Sequence, residues 1–259
     1  MRVSRAGWAP FALAAVLIGA WELYADASGG GEGLLPPPHA VASSAWSNAG
    51  PLWHNFLVTG EQVVLGLALA LTFGFALAIA IHLFPLLRRA AYPLAVGSQA
   101  IPIVVIGPLL VFWWGFGTFP KLVVIALICF FPVLVATVDA LSAVDRDQLK
   151  LLRTLDASRW QALRFAELPA ALPATLSGAR IALAVGVIGA FIAETSTPTT
   201  AAYAGLGREI ITATNSFDPP RAYAATLVLF AFAVACFYAL SLAERRLVPW
   251  QTRPRGETS

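Results

Sequence analysis

Charge is scarce in this chain: Asp, Glu, Lys and Arg make up 12% of its 259 residues, against 58% hydrophobic. The apolar residues gather in runs too long for a soluble core, which excludes an ordinary water-soluble domain. Cysteine is nearly absent, and Cys129 and Cys236 both lie inside apolar runs, so neither a disulfide framework nor a metal-binding cysteine pair is expected. The histidines, His39, His54 and His82, lack a spaced set of Cys, Asp or Glu ligands, and no H-E-x-x-H occurs, which argues against a zinc enzyme. Asp145 and Asp147 have no second acidic cluster to complete a metal site and read as solvated or capping residues. No G-x-x-x-x-G-K-[ST] loop is present, so the chain is expected to bind no nucleotide unaided. No internal repeat is clear enough to indicate an inverted-repeat carrier.

What is present is a series of apolar segments. About 20 residues at a rise of about 1.5 Å each cross the hydrocarbon. The best spans centre on 8–25, 57–83, 93–114, 120–141, 170–193 and 222–243, giving an all-α polytopic membrane protein with about six crossings. The first run resembles a signal peptide, with Arg2 and Arg5 before it, but Trp8, Trp21 and Tyr24 flank it like interfacial anchors, so it is read as a retained helix. Thirteen of the 17 basic residues fall on one side: Arg2, Arg5, Arg88, Arg89, Arg146, Lys150, Arg153, Arg159, Arg164, Arg245, Arg246, Arg253 and Arg255. The 26–54 loop on the other side has no Lys or Arg, and both termini are therefore expected in the cytoplasm. This distribution explains the net charge of +3 without nucleic acid.

Within the spans, Pro102 and Pro108 each remove a backbone donor, which suits an interior helix that is either a kinked packing element or part of a solute pathway. Gly66, Gly74, Gly178, Gly186 and Gly189 allow close helix approach, with Ala70, Gly74 and Ala78 forming one small face. Arg180 is expected near the middle of the fifth span, either paired structurally or contributing to a pathway, and Glu194 near its outer end. Glu61 and Asp139 lie near span ends and reach interfacial water. The stretch 26–38, DASGGGEGLLPPP, reads as an external spacer; Glu194–Pro220 reads as a second external loop, either a pathway entrance or a simple excursion.

Between the fourth and fifth spans, residues 142–169 are too few for a folded catalytic domain. Leu149, Leu152, Leu155, Leu163 and Phe165 alternate there with Lys150, Arg153, Arg159 and Arg164, a pattern that separates an apolar from a wet helical face. Asp156-Ala157-Ser158 interrupts it and suits a bend or a new cap. Such a segment either rests on lipid or docks a soluble partner.

These residues resemble the cytoplasmic signature of binding-protein-dependent ABC importer permeases: E-A-A, three residues, G, nine residues, I, one residue, L-P. Lys150-Leu151-Leu152 takes the opening triplet, Asp156 the glycine position and Ala166 the isoleucine position, while Leu168-Pro169 matches the ending. The resemblance runs over about residues 35–250, through LLPPP, SQAIPIVVIGPLLVFWWGFG at 98–117, ICFFPVLVATVDAL at 128–141 and the stretch 168–194. Together these are similar to the nitrate, sulfonate and taurine permease group, especially the branch for thiamine pyrimidine precursors (hydroxymethylpyrimidine) or riboflavin.

The resemblance implies the type I ABC importer membrane-domain architecture: a first helix and external linker over 1–55, a core permease domain over 56–250 and a cytoplasmic tail over 251–259. It implies a bacterial inner-membrane permease, homodimeric or paired with a related chain, with a cytoplasmic ATPase dimer that carries ATP and Mg and an external solute-binding protein; this chain itself is expected to have no catalytic, metal or cofactor site. Residues 156–168 are expected to form the coupling helix. Asp156, Ala157, Ser158, Arg159, Trp160, Leu163, Arg164, Leu168 and Pro169 are the candidate ATPase contacts, and Pro102, Pro108, Arg180 and Glu194 are pathway or structural candidates. Arg159 or Arg164 is expected to pair with acids on the ATPase. Asp156 in place of glycine is expected to bear on the loop conformation, because glycine reaches positive φ cheaply. An ion-coupled secondary carrier is the alternative from a different class.

Overall fold

The computed structural model describes residues 9–28, 35–98, 100–197 and 203–249, and all regular structure among them is helical. In order these are α1 (Ala9–Ala27), α2 (Pro38–Ser47), α3 (Ala49–Leu83), α4 (Pro85–Ser98), α5 (Ile103–Trp114), α6 (Thr118–Ser142), α7 (Arg146–Thr154), α8 (Arg159–Ala162), α9 (Leu168–Thr195), α10 (Leu206–Asn215) and α11 (Pro219–Leu247). A π-helical turn, Leu163–Glu167, joins α8 to α9 without a break. The 251–259 tail, residues 29–34 of the 26–38 spacer and residues 198–202 lie outside the described residues.

Four stretches are long and apolar enough to cross a membrane among the described residues: Ala49–Leu83, Thr118–Ser142, Arg159–Thr195 and Pro219–Leu247. The expectation of about six crossings is corrected accordingly. The span expected at 93–114 divides into α4 and α5, because Pro102 caps α5 in extended conformation and the residue before a proline is driven out of the helical region. The 12 residues of α5 rise only about 18 Å, short of the roughly 30 Å hydrocarbon. α4 carries Arg88 and Arg89 and leaves Leu86 and Leu94 exposed, as an amphipathic surface helix does. α1 occupies the expected first span, but its uncharged run ends at Glu22 and it is not one of the four.

The chain forms two compact units. One draws on the described residues up to Thr59 and on Thr197–Ala231. Its core is Val41, Leu52, Leu206, Ala224 and Ala225, with Trp21 and Tyr223 packed against them. Buried Glu209 is held there by Asn55 Nδ2 at 3.2 Å and Arg221 Nε at 2.6 Å, and Thr59 Oγ1 accepts the Leu206 N–H at 2.8 Å. A charge that deep is retained because it is paired and hydrogen-bonded. The loop expected at 194–220 thus contains a packed helix, α10, in place of a simple excursion.

The same unit corrects the reading of His39 as lacking ligand-type neighbours. Its Nδ1 pairs with Glu22 Oε1, its N–H donates to Glu22 at 3.3 Å, and Asp26 lies beside them, all three side chains within 4.8 Å of one another. The Glu22 hydrogen bond, helped by the charges of Glu22 and Asp26, raises the His39 pKa above its usual 6.5. The arrangement reads as an ion-pair latch between α1 and α2.

The second unit comprises Gly60–Ser196 and the described residues from Phe232 onward. Its centre is the seam between α6 and α9, where glycines bring the backbones together as expected from their spacing. A Cβ on Gly178 would lie 2.5 Å from Ala136 Cβ and 2.9 Å from the Pro132 carbonyl oxygen. One on Gly186 would lie 2.6 Å from Cys129 Sγ, whose thiol donates to the Ala182 carbonyl at 3.1 Å. On the other flank of α6, a Cβ on Gly66 would lie 2.5 Å from Ile125 Cγ2, while Ala70 and Ala78 are buried around Gly74.

Candidate functional site

The site is the hook between α6 and α9, and its shape follows from successive caps. Asp145 opens α7 by accepting the Asp147 N–H at 2.8 Å, and Lys150 pairs with Asp147 at 2.7 Å. α7 closes at Asp156, whose φ is +54°. The Ala157 N–H reaches back to the Leu152 carbonyl and the Asp156 N–H to that of Arg153, each at 3.1 Å, which together form a Schellman closure. Asp156, at the position that the signature gives to glycine, therefore adopts the left-handed conformation itself. Aspartate tolerates it better than most residues, at a residual cost.

A prediction follows from that geometry. Asp156→Gly is expected to strengthen the closure by up to about 1 kcal/mol, and Asp156→Val to weaken it by about 1–2 kcal/mol. Hydrogen exchange at the Ala157 amide, slower in the first variant and faster in the second, is the measurement; equal rates in both would show that the conformation is unstrained.

Ser158 then starts α8 with a capping box: its hydroxyl accepts the Gln161 N–H at 3.3 Å, and Gln161 Oε1 accepts the Ser158 N–H at 2.7 Å. α8 lasts one turn and widens into the π turn, where the Leu168 N–H bonds to the Leu163 carbonyl. Pro169 supplies the reason, since it has no N–H and its ring would crowd the carbonyl four residues back in a regular helix. The segment expected to form the coupling helix, 156–168, thus runs from Arg159 onward as a bent extension of α9.

The hook has two faces. Leu163 is fully buried against Leu141 and Ala171, with Leu83 and Leu168 packed around them. Leu151, Leu155, Trp160 and Phe165 point outward at 63, 71, 60 and 69% exposure. Arg164 is exposed beside Phe165, its guanidinium carbon 5.8 Å from the ring centre. Arg159 donates from Nη2 to the His82 carbonyl at the end of α3 (3.2 Å), and His82 Nε2 pairs with Glu167 at 3.0 Å. These contacts tie both ends of the hook to α3 around a polar hollow of about 410 Å³ lined by His82, Arg153, Arg159 and Glu167. Sequence spacing did not disclose the His82–Glu167 pair because its members are far apart in the chain.

The remaining candidates lie elsewhere. Pro102 and Pro108 sit at the start of α5 and within it, both exposed. Arg180, near the middle of α9, pairs with Glu244 in the last turn of α11 at 2.9 Å, a structural pairing between the two helices. Glu194 is fully buried near the other end of α9, where its charge acts on buried Lys121 of α6. No local pattern marks Lys121, since its partner comes from a distant helix. Arg180 and Glu194 are about 21 Å apart along α9 and do not form one site.

The profile described as a binding-protein-dependent transport system inner membrane component matches residues 70–252. The chain belongs to that family. The riboflavin transport system permease protein RibX of Chloroflexus aurantiacus is 34% identical over 89% of this chain and 85% of its own. The formylaminopyrimidine transport permease protein ThiX of Halalkalibacterium halodurans is 31% identical over 85% and 87%, and the taurine transport system permease protein TauC of Escherichia coli 32% over 84% and 80%. The solved structure of an amino acid ABC transporter superposes with a TM-score of 0.62 over 78% of this chain and 97% of that one, at 18% identity, and shares the fold.

The protein is accordingly the multi-pass permease subunit of a bacterial inner-membrane ABC importer for a small solute, working with an ABC ATPase and an extracytoplasmic binding protein. It is a transport subunit and not an enzyme; hydrolysis belongs to the ATPase. Membership in this family sets aside the ion-coupled carrier.

Proposed function

We propose that the permease imports a small heteroaromatic vitamin compound, a thiamine pyrimidine precursor or a riboflavin-like molecule, and that the 156–169 hook receives the ATPase. The observation that carries the docking assignment is the hook's two-sidedness: Leu163 buried, with Leu151, Leu155, Trp160 and Phe165 presented outward beside Arg164. Capped at both ends and held to α3 by Arg159 and His82, the hook moves with the bundle, as a part that transmits force must. Because Arg159 is engaged on the His82 carbonyl, Arg164 is the better placed of the two for an acid on the ATPase. Leu168 and Pro169 shape the junction, while Asp156, Ala157 and Ser158 set the bend.

The same reading places both termini and the hook in the cytoplasm, by the positive-inside distribution, and two copies of the chain around one pathway. ATP-driven closure of the ATPase dimer then moves the hooks and exposes the path outward to the loaded binding protein, and hydrolysis resets it inward. The heteroaromatic solute rests on the riboflavin and formylaminopyrimidine relatives. A sulfonate is the second reading, favoured by the taurine relative at nearly the same identity.

The test is ATP-dependent uptake into proteoliposomes containing the permease, its ATPase and its binding protein. Accumulation of an aminopyrimidine or riboflavin at least tenfold above taurine is expected. Preferential uptake of taurine would replace the heteroaromatic assignment with the sulfonate one.

A further inference from the structure

Within the second unit, two open hollows lie along α9 and α11 and share Phe237 and Tyr238, one of about 770 Å³ and one of about 350 Å³. The larger has a polar floor of Arg180, Ser241 and Glu244, with Arg245 at its edge. The smaller is walled by Leu183, Ala184, Ala233 and Val234. A polar hollow thus adjoins an apolar one along the same pair of helices, with Phe237 and Tyr238 lining both.

The polar compartment has unused donors. Arg180 makes all its contacts through Nη2, to Ser177 Oγ at 3.2 Å and to the two Glu244 oxygens at 3.1 and 2.9 Å. Its Nε and Nη1 make no hydrogen bond among the described residues. Ser241 Oγ is buried and likewise unpartnered. The Arg180 charge cancels that of Glu244, and Arg245, exposed and in no ion pair among the described residues, leaves the compartment positive. Of these donors Ser241 Oγ is the buried one, and a buried polar group without a partner is costly. An anion with several acceptor oxygens would accept from Ser241 Oγ and from the partly exposed Arg180 and exposed Arg245 together.

The depth and the apolar annex identify the anion's carrier. Glu244 and Arg245 belong to the last turn of α11, which ends in Arg245-Arg246, where a helix leaves the hydrocarbon. The annex continues from Tyr238 back along α11 to Ala233, toward the interior of the span, and is large enough for part of an acyl chain. We propose that this groove binds one anionic glycerophospholipid, its phosphate on Arg180, Ser241 and Arg245 and an acyl chain in the annex. A basic pocket between helices at the membrane edge is the arrangement that selects anionic headgroups. Assignment to the cytoplasmic leaflet rests on the orientation proposed above; the binding itself does not.

Native mass spectrometry of the full-length permease released from nanodiscs tests this without any transport step, so an error in the proposed solute leaves the result intact. Wild type from discs of equal phosphatidylglycerol and phosphatidylcholine is expected to retain phosphatidylglycerol at least fivefold over phosphatidylcholine. Arg245→Gln and Ser241→Ala, which spare the Arg180–Glu244 pair and hence folding, are each expected to reduce that preference at least threefold. Equal retention of the two lipids, or an unchanged preference in both variants, overturns the proposal. So does displacement of the lipid by millimolar inorganic phosphate, which would mark a free-anion site. A disulfide forming between copies of Tyr238→Cys would show the groove covered by a second permease and overturn it as well.

Discussion

Gly178→Leu is expected to leave little folded permease in the membrane. The α6–α9 seam has no room at this position, because even the first side-chain carbon meets Ala136 at 2.5 Å and the Pro132 carbonyl oxygen at 2.9 Å. One of those atoms is backbone, which yields only if the helices part. Overpacking by a methyl group alone costs about 1–3 kcal/mol, so Gly178→Ala is expected to lower the thermal midpoint while Leu abolishes a monodisperse peak in detergent chromatography. Gly97→Ala is the control: nothing lies within 4 Å of the added carbon, and helix propensity favours alanine by about 1 kcal/mol. Adding Ala136→Gly to Gly178→Ala is expected to restore part of the loss, since it removes one of the two contacts. Wild-type stability of Gly178→Leu would show that the seam is not closed as described.

Trp160→Ala is expected to reduce ATP-dependent uptake at least tenfold while sparing the thermal midpoint. Trp160 is 60% exposed and the fold does not need it, but an aromatic anchor at an interface is commonly worth about 2 kcal/mol or more, roughly 30-fold in association. Leu163→Ala is the contrasting variant. That residue is fully buried, and truncating it is expected to cost about 2–5 kcal/mol of stability, so its transport defect comes with a lower midpoint. The readouts are solute uptake, stimulation of the ATPase by the permease, and thermal unfolding. Unchanged uptake and ATPase stimulation in Trp160→Ala would remove this face as the docking site. Arg159 is better tested separately from Trp160, since its bond to the His82 carbonyl gives it a structural role.

The two experiments separate kinds of information that the sequence carries unequally. The glycines of α3 and α9 are legible because a missing side chain in a membrane helix has few uses besides close packing. The bend at Asp156 is legible as well, since a short polar residue between two amphipathic runs marks a cap. The third span illustrates the opposite. Hydropathy alone joins residues 93–114 into one helix, whereas Pro102 ends it, and only the folded backbone shows the stop as decisive. Counting from Pro169 puts Arg180 near the middle of α9, but only the fold shows that Glu244 of α11 is its partner.

The membrane class and the family are determined by sequence alone, because long apolar runs, charge asymmetry and a spaced signature are local properties that survive without knowledge of contacts. The tertiary structure decided which face of the hook is buried, which charges are paired and where two hollows meet. Those outcomes depend on residues far apart in the chain, His82 with Glu167, Arg180 with Glu244 and Lys121 with Glu194, and no local pattern encodes which distant helix supplies a partner.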